Sequence, residues 1–171
     1  ENHDWPVLKE YLHSDNPDIQ LAALRALSAW PDATPKDDLK KIAETTEDTR
    51  KHTLALRGYV QVVIADETLS QDQIYTEIHH AFNIASGIDE QKIVLSGLGK
   101  INSYEALKFS ISLMNNRDLI RETEAAILSI AENLSWSYPV ETREALNEVL
   151  QITDNEQFIT DINNLLKNIR K

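Results

Sequence analysis

The sequence contains no cysteine, which excludes disulfides and thiolate metal sites outright. Glycine and proline are nearly as scarce, at 4 and 5 in 171 residues. Aromatics make up only 6% against 42% apolar residues, a balance that suits helices packed by Leu, Ile, Val and Ala and is too apolar for a disordered region. Positive charge is short too: 17 Lys and Arg face 28 Asp and Glu, a net charge of −11. Binding to a phosphate backbone replaces counterions with protein cations, so nucleic acid is not an expected partner unless the few cations gather on one face. The same holds for anionic lipid surfaces. No apolar run approaches a bilayer span, so membrane insertion is not expected.

What is present is a succession of helix signals. Asn16-Pro17 and Thr34-Pro35 each set an N-cap residue before proline at the first helical position. Ser70 with Gln73, and Thr153 with Glu156, have capping-box spacing. Asp118 and Tyr138-Pro139 mark two further starts, and Gly87 reads as a C-cap. Between these marks the apolar period is helical; Ile19, Ala22, Ala23, Ala26, Leu27 and Trp30 form one such stripe. Ten helices are predicted, near 4–13, 17–30, 35–45, 48–65, 71–86, 89–100, 103–114, 118–135, 139–151 and 154–170. The fold class expected is all-α.

An internal repeat runs through them. LAALRAL (21–27), TLALRGY (53–59), LSGLGKI (95–101) and EAAILSI (124–130) align on Leu24, Leu56, Leu98 and Ile127, at spacings of 32, 42 and 29 residues, and a degenerate fifth copy places Ile162. The unit is about two helices with variable loops. In this register Gly97 replaces Ala23 and Ala55, a small-residue position where one helix backbone approaches another. A mid-helix glycine costs about 1 kcal/mol relative to alanine, and close packing is the expected compensation. Gly99 aligns with Arg25 and Arg57 and has no such explanation. A phosphate-binding reading of Gly97-x-Gly99 fails because no strand precedes it and Asn102 stands where a third glycine belongs.

Two segments, TLALRGYVQVV (53–63) and KIVLSGLGKINSYEALKFSISLMNN running on to RETEAAILSIAENL (92–134), resemble bacterial HEAT-type repeat proteins. The resemblance is good over about 16–135 and weaker at the ends. It implies an α-solenoid (alpha-alpha superhelix, armadillo-like) of about five antiparallel helix pairs, with residues 1–171 as a single HEAT-like domain. Similar segments occur in large, often exported bacterial proteins, sometimes beside sugar-related domains. This implies an exported or periplasmic module, or a processed part of a larger chain, and Glu1 is not a native start.

In stacked helix pairs the second helices line the concave, binding face. That places Arg25 and Arg57 there, joined loosely by Lys51, Lys92, Lys100 and Arg121 as candidate binding residues. For Arg25 and Arg57 themselves the favoured reading is a ladder of ion pairs to acids in adjacent loops, such as Asp18 or Asp48. A doubled Glu-x-x-His, Glu10 with His13 and Glu77 with His80, has the spacing of a di-iron bundle, but stacked pairs do not bring first and third repeats face to face. No metal and no cofactor are expected. Trp5, Trp30 and Trp136 fall at helix or loop ends and read as covers for the core. No Gly-x-Ser-x-Gly elbow, Walker loop or His-Glu-x-x-His occurs, so no catalytic residues are assigned.

The expected function is a non-catalytic interaction or scaffold domain. Its partner would be a protein, a neighbouring domain of the same polypeptide, or an anionic polymer. The alternatives are a structural spacer beside catalytic domains and, remotely, a HEAT-like DNA glycosylase, which the net charge of −11 disfavours.

Overall fold

The computed structural model describes residues 5–169. It is all-α, with no strand among the described residues. The helices are α1 (Trp5–Tyr11), α2 (Pro17–Ser28), α3 (Lys36–Thr45), α4 (Thr49–Ile64), α5 (Gln71–Ile84), α6 (Ile88–Leu98), α7 (Tyr104–Ser112), α8 (Ile120–Leu134), α9 (Pro139–Ile152) and α10 (Glu156–Asn168). Each coincides with one predicted helix. The first predicted start, residue 4, lies outside the described residues, as does the last predicted end, residue 170.

Side-chain caps set the starts of α2, α4, α5 and α10. The Asn16 carboxamide oxygen accepts the Asp18 N–H at 2.9 Å, ahead of Pro17. Asp48 accepts from Arg50 N–H at 2.9 Å and Lys51 N–H at 3.1 Å. Ser70 and Gln73 form a complete capping box, with arms of 3.2 and 2.8 Å. Four expected signals act differently. Thr34 is not a cap; its N–H donates to Asp32, and α3 starts after Pro35. Thr153 accepts from Asn155 N–H in a short turn, and Asn155 caps α10 instead. The N–H of Asp118 is held by Asn116, and α8 starts after Leu119. Gly87 is the N-cap of α6 in extended backbone rather than the C-cap of α5.

Packing runs in sequence order. The adjacent partners α1/α2, α3/α4, α5/α6, α7/α8 and α9/α10 are in contact. A second series joins α2 to α4, α4 to α6, α6 to α8 and α8 to α10, while α5 meets α7 and α7 meets α9. The five aligned repeat positions, Leu24, Leu56, Leu98, Ile127 and Ile162, are all buried, and they belong to one continuous apolar cluster running from α2 to Ile169. α4 touches α2, α3, α5 and α6, and it buries residues on two sides, including Ala55, Leu56, Tyr59 and Val63.

Glycine governs two of these approaches. A Cβ on Gly97 would come within 2.5 Å of Val60 Cγ1, so α4 and α6 pack as closely as the small-residue register predicts. Gly58, unremarked in the sequence, is tighter still in kind: its Cβ would meet the backbone of α2, 2.6 Å from Ser28 Cα. Gly99 has ordinary contacts only, the nearest at 3.5 Å, and its carbonyl accepts the Ser129 hydroxyl at 2.6 Å.

Polar ties between successive pairs also step along the chain. They include Ser28 Oγ to Leu54 O (2.9 Å), Lys36 to Asp66 (2.7 Å) and Lys40 to Glu77 (2.8 Å). Further along are Asn155 Nδ2 to Glu124 (2.8 Å) and the widest, His52 to Glu90, which spans 38 residues. Trp5 and Trp30 stack edge to face with centroids 6.0 Å apart and cover the core as expected. Trp136 does not; it is 74% exposed.

Candidate functional site

In a chain with 28 acids, α4 has none across Thr49–Ile64 but holds Arg50, Lys51 and Arg57. α4 lies between α2 and α6, and a shallow groove opens on each side of it. The α2/α4 groove, about 370 Å³, is lined by Leu21, Arg25, Arg50, Thr53 and Arg57 among others, and by no acid. The α4/α6 groove, about 400 Å³, shares Arg57, adds Gln61, Ser96 and Lys100, has Gly97 in its wall, and is again acid-free. The α6/α8 groove, about 380 Å³, shares Lys100 but brings in Glu122. Arg57 and Lys100 therefore link three consecutive grooves, and the positive stretch ends at α8.

Of the sequence-predicted cations, Arg25, Arg57 and Lys100 come together on this face, all exposed. Lys92 is drawn aside into an ion pair with Glu122 at 3.5 Å. Arg121 is exposed and borders none of the three grooves. Lys51 turns the other way, donating to Gln20. Arg50, which the sequence reading passed over, belongs to the face; the missing acids of α4 were the signal that could have found it.

The expected ion-pair ladder does not form: among the described residues neither Arg25 nor Arg57 makes an ion pair. Of the two acids named for it, Asp48 is engaged as the cap of α4. The N–H of Lys51 chiefly, with that of Arg50 and both side-chain charges, holds Asp48 below the usual carboxylate range as the cap of α4. A free guanidinium fork has the geometry that matches a carboxylate bidentately.

Other chemistry-bearing groups are committed elsewhere. Glu77 of the second Glu-x-x-His takes Lys40 and the Tyr59 hydroxyl, while His80 pairs with Glu44 at 2.7 Å. Burial opposes the Glu77 charge, but the hydrogen bonds from Lys40 and Tyr59 outweigh it and lower its pKa. Burial first, then the hydrogen bond to Glu77 and after it the Glu77 charge, push the Tyr59 phenol well above its usual range. Among the described residues no three His, Asp or Glu side chains are grouped to hold a metal ion.

The sequence reading also missed a buried knot. Glu90 Oε1 accepts from Thr53 Oγ1 at 2.6 Å and lies 3.0 Å from His52 Nδ1; Oε2 accepts the Ser86 N–H at 2.7 Å. Burial raises the Glu90 pKa, and these three donors outweigh it, so the carboxyl sits below its ordinary value. Ser86 Oγ stands 3.4 Å from both imidazole nitrogens, in line with neither lone pair, so the trio ties α4 to the α5–α6 turn rather than activating a hydroxyl.

In comparison with known proteins, no family model matches the chain, and neither does any curated protein or solved structure.

Proposed function

We propose that this chain is a non-catalytic interaction module, a HEAT-like α-solenoid of five antiparallel helix pairs that presents α2, α4 and α6 to an acidic segment of a protein partner. The solenoid reading is supported by the order of contacts: second helix meets second helix down the chain, and the ties named above reach only to a neighbouring pair. Such stacks derive their stability from nearest-neighbour interfaces and use the surface of the inner helices for binding.

The observation that carries the functional reading is a pair of adjoining acid-free grooves holding Arg25, Arg50, Arg57 and Lys100 in a molecule of net charge −11. Surrounding acidity repels polyanions at long range, whereas a local positive strip between apolar walls admits a short acidic peptide and fixes its register. Leu21, Leu54, Val60 and Ile64 in the same grooves offer apolar contact beside the charges.

The test is fluorescence anisotropy with a labelled poly-glutamate peptide at low and physiological salt. The native protein binds it and the Arg25→Glu/Arg57→Glu double variant does not. Retained binding by a folded double variant would return the weight to the structural spacer.

A further inference from the structure

A cleft of about 440 Å³ lies off the proposed binding face, bounded by α1, α2, α3 and the start of α4. This is within the range of about 300–1,000 Å³ usual for small-molecule sites. Its apolar wall is Leu12, the buried Leu24 and Ile42. Around it stand Lys41, Lys51 and His13, while Lys9 is already paired with Asp38 at 3.1 Å.

The remaining polar groups of the lining are largely engaged. Gln20 donates to Ser14 O at 2.6 Å and accepts from Lys51. Thr45 donates to Lys41 O at 2.8 Å, and Thr46 accepts the Asp48 N–H at 3.3 Å. The first amides of α4 are taken by Asp48, so the helix start offers nothing to an anion. What stays open is a set of ammonium donors beside hydrocarbon.

We infer that this cleft binds an amphipathic monocarboxylate, with its carboxylate at Lys41 and Lys51 and its aliphatic body on Leu12, Leu24 and Ile42. A sugar or other polyol is a poor match, because hydroxyls against the apolar wall would lose water without replacement. A bare phosphate would use the ammonium groups but leave the apolar wall of Leu12, Leu24 and Ile42 uncovered. The ammonium of Lys41 has no partner among the described residues, and Lys51 keeps donors beyond the one given to Gln20.

Isothermal titration calorimetry of the intact chain with octanoate, octanol and inorganic phosphate tests this. Octanoate is expected to bind once per chain, with octanol weaker by about tenfold or more, the worth of a charge-assisted hydrogen bond, and phosphate weaker by about tenfold or more for want of hydrocarbon burial. Lys41→Met and Lys51→Met should each weaken octanoate by a similar factor. Lys41→Met is the cleaner variant, since it breaks no internal bond, and circular dichroism checks that both fold. Equal binding of octanol would overturn the role of the charge, and equal binding of phosphate the role of the wall. No octanoate heat, or unchanged affinity in a folded Lys41→Met, would overturn the site itself. Octanoate binding should persist in Arg25→Glu/Arg57→Glu, so this result stands or falls apart from the acidic-peptide reading.

Discussion

The contacts that α4 makes with α2 and α6 and those that join α8 to α10 solve the same packing problem by different means. At α4, glycine lets backbones close up: Gly58 rests on Ser28, and Gly97 on Val60. A buried carboxylate with three donors then locks the α4 side. Between α8 and α10 no glycine intervenes, and the named polar tie is Asn155 to Glu124 at 2.8 Å. Among the described residues, buried polar atoms without a hydrogen-bond partner occur in both regions, at Thr123 and Thr142 in the second and at Trp30 Nε1 just beyond α2 in the first, while Trp136 is exposed. The helices approach one another more closely in the first region than in the second. Close approach at α4 also sets where the cationic grooves lie, since Gly97 forms part of one wall.

The sharpest way to break this contrast is Gly58→Leu. Its Cβ alone would meet helix backbone at 2.6 Å, and backbone cannot rotate aside, so the variant should lose about 3 kcal/mol in urea unfolding. A wild-type midpoint would refute the close contact. Gly97→Leu presses on side chains of Val60 and Ile64, which can give partially, so about 1–3 kcal/mol is expected by the same measurement.

Glu90→Gln should cost about 1–2 kcal/mol at pH 7 through weakened hydrogen bonds to a formerly charged acceptor. Its pH dependence gives a second check. A carboxyl whose folded pKa is depressed stabilises above its unfolded value of about 4.3. That stability fades as pH falls through the folded pKa, because the unfolded state binds the proton more readily. The gap between native and Glu90→Gln melting temperatures should therefore narrow as the pH drops below about 4. A gap that widens in acid would show that the knot works otherwise.

At the α8/α10 contact, Asn155→Ala removes both the α10 cap and the tie to Glu124 and should cost about 1 kcal/mol. Smallest of all is Gly99→Ala. At φ −59° with neighbours at ordinary distance, alanine fits and should gain about 0.4–1 kcal/mol by restricting the unfolded chain. Opposite signs two residues apart would separate packing from composition as the cause.

The helices were legible in the sequence because their causes are local. An apolar stripe and a cap act within a few residues, so ten helices and five buried anchors follow from spacing alone. The misplaced starts at Thr34, Asp118 and Thr153 share one reason: Asp, Asn and Thr side chains close small turns as readily as they cap helices. Gly97 could be read because the repeat supplies alanine at equivalent positions. Gly58 could not, since Ala26 and Lys100 stand opposite it in the register and its partner Ser28 is fixed only by folding. The same applies to the site. Arg25 and Arg57 share a register position, with Lys100 one residue out of it, and the three line the same run of grooves, but the diversion of Lys92 to Glu122 and the turn of Lys51 towards Gln20 depend on neighbours about 30 residues away.

The short reach of the inter-helix ties has a consequence for how the chain comes into being. Local topology of this kind favours rapid folding, because little loop entropy is spent before a contact forms. Since α4 meets α2 and α6 meets α4, each of these helices leaves the ribosome after the inner neighbour on its N-terminal side, and none of these contacts waits for the far end of the chain.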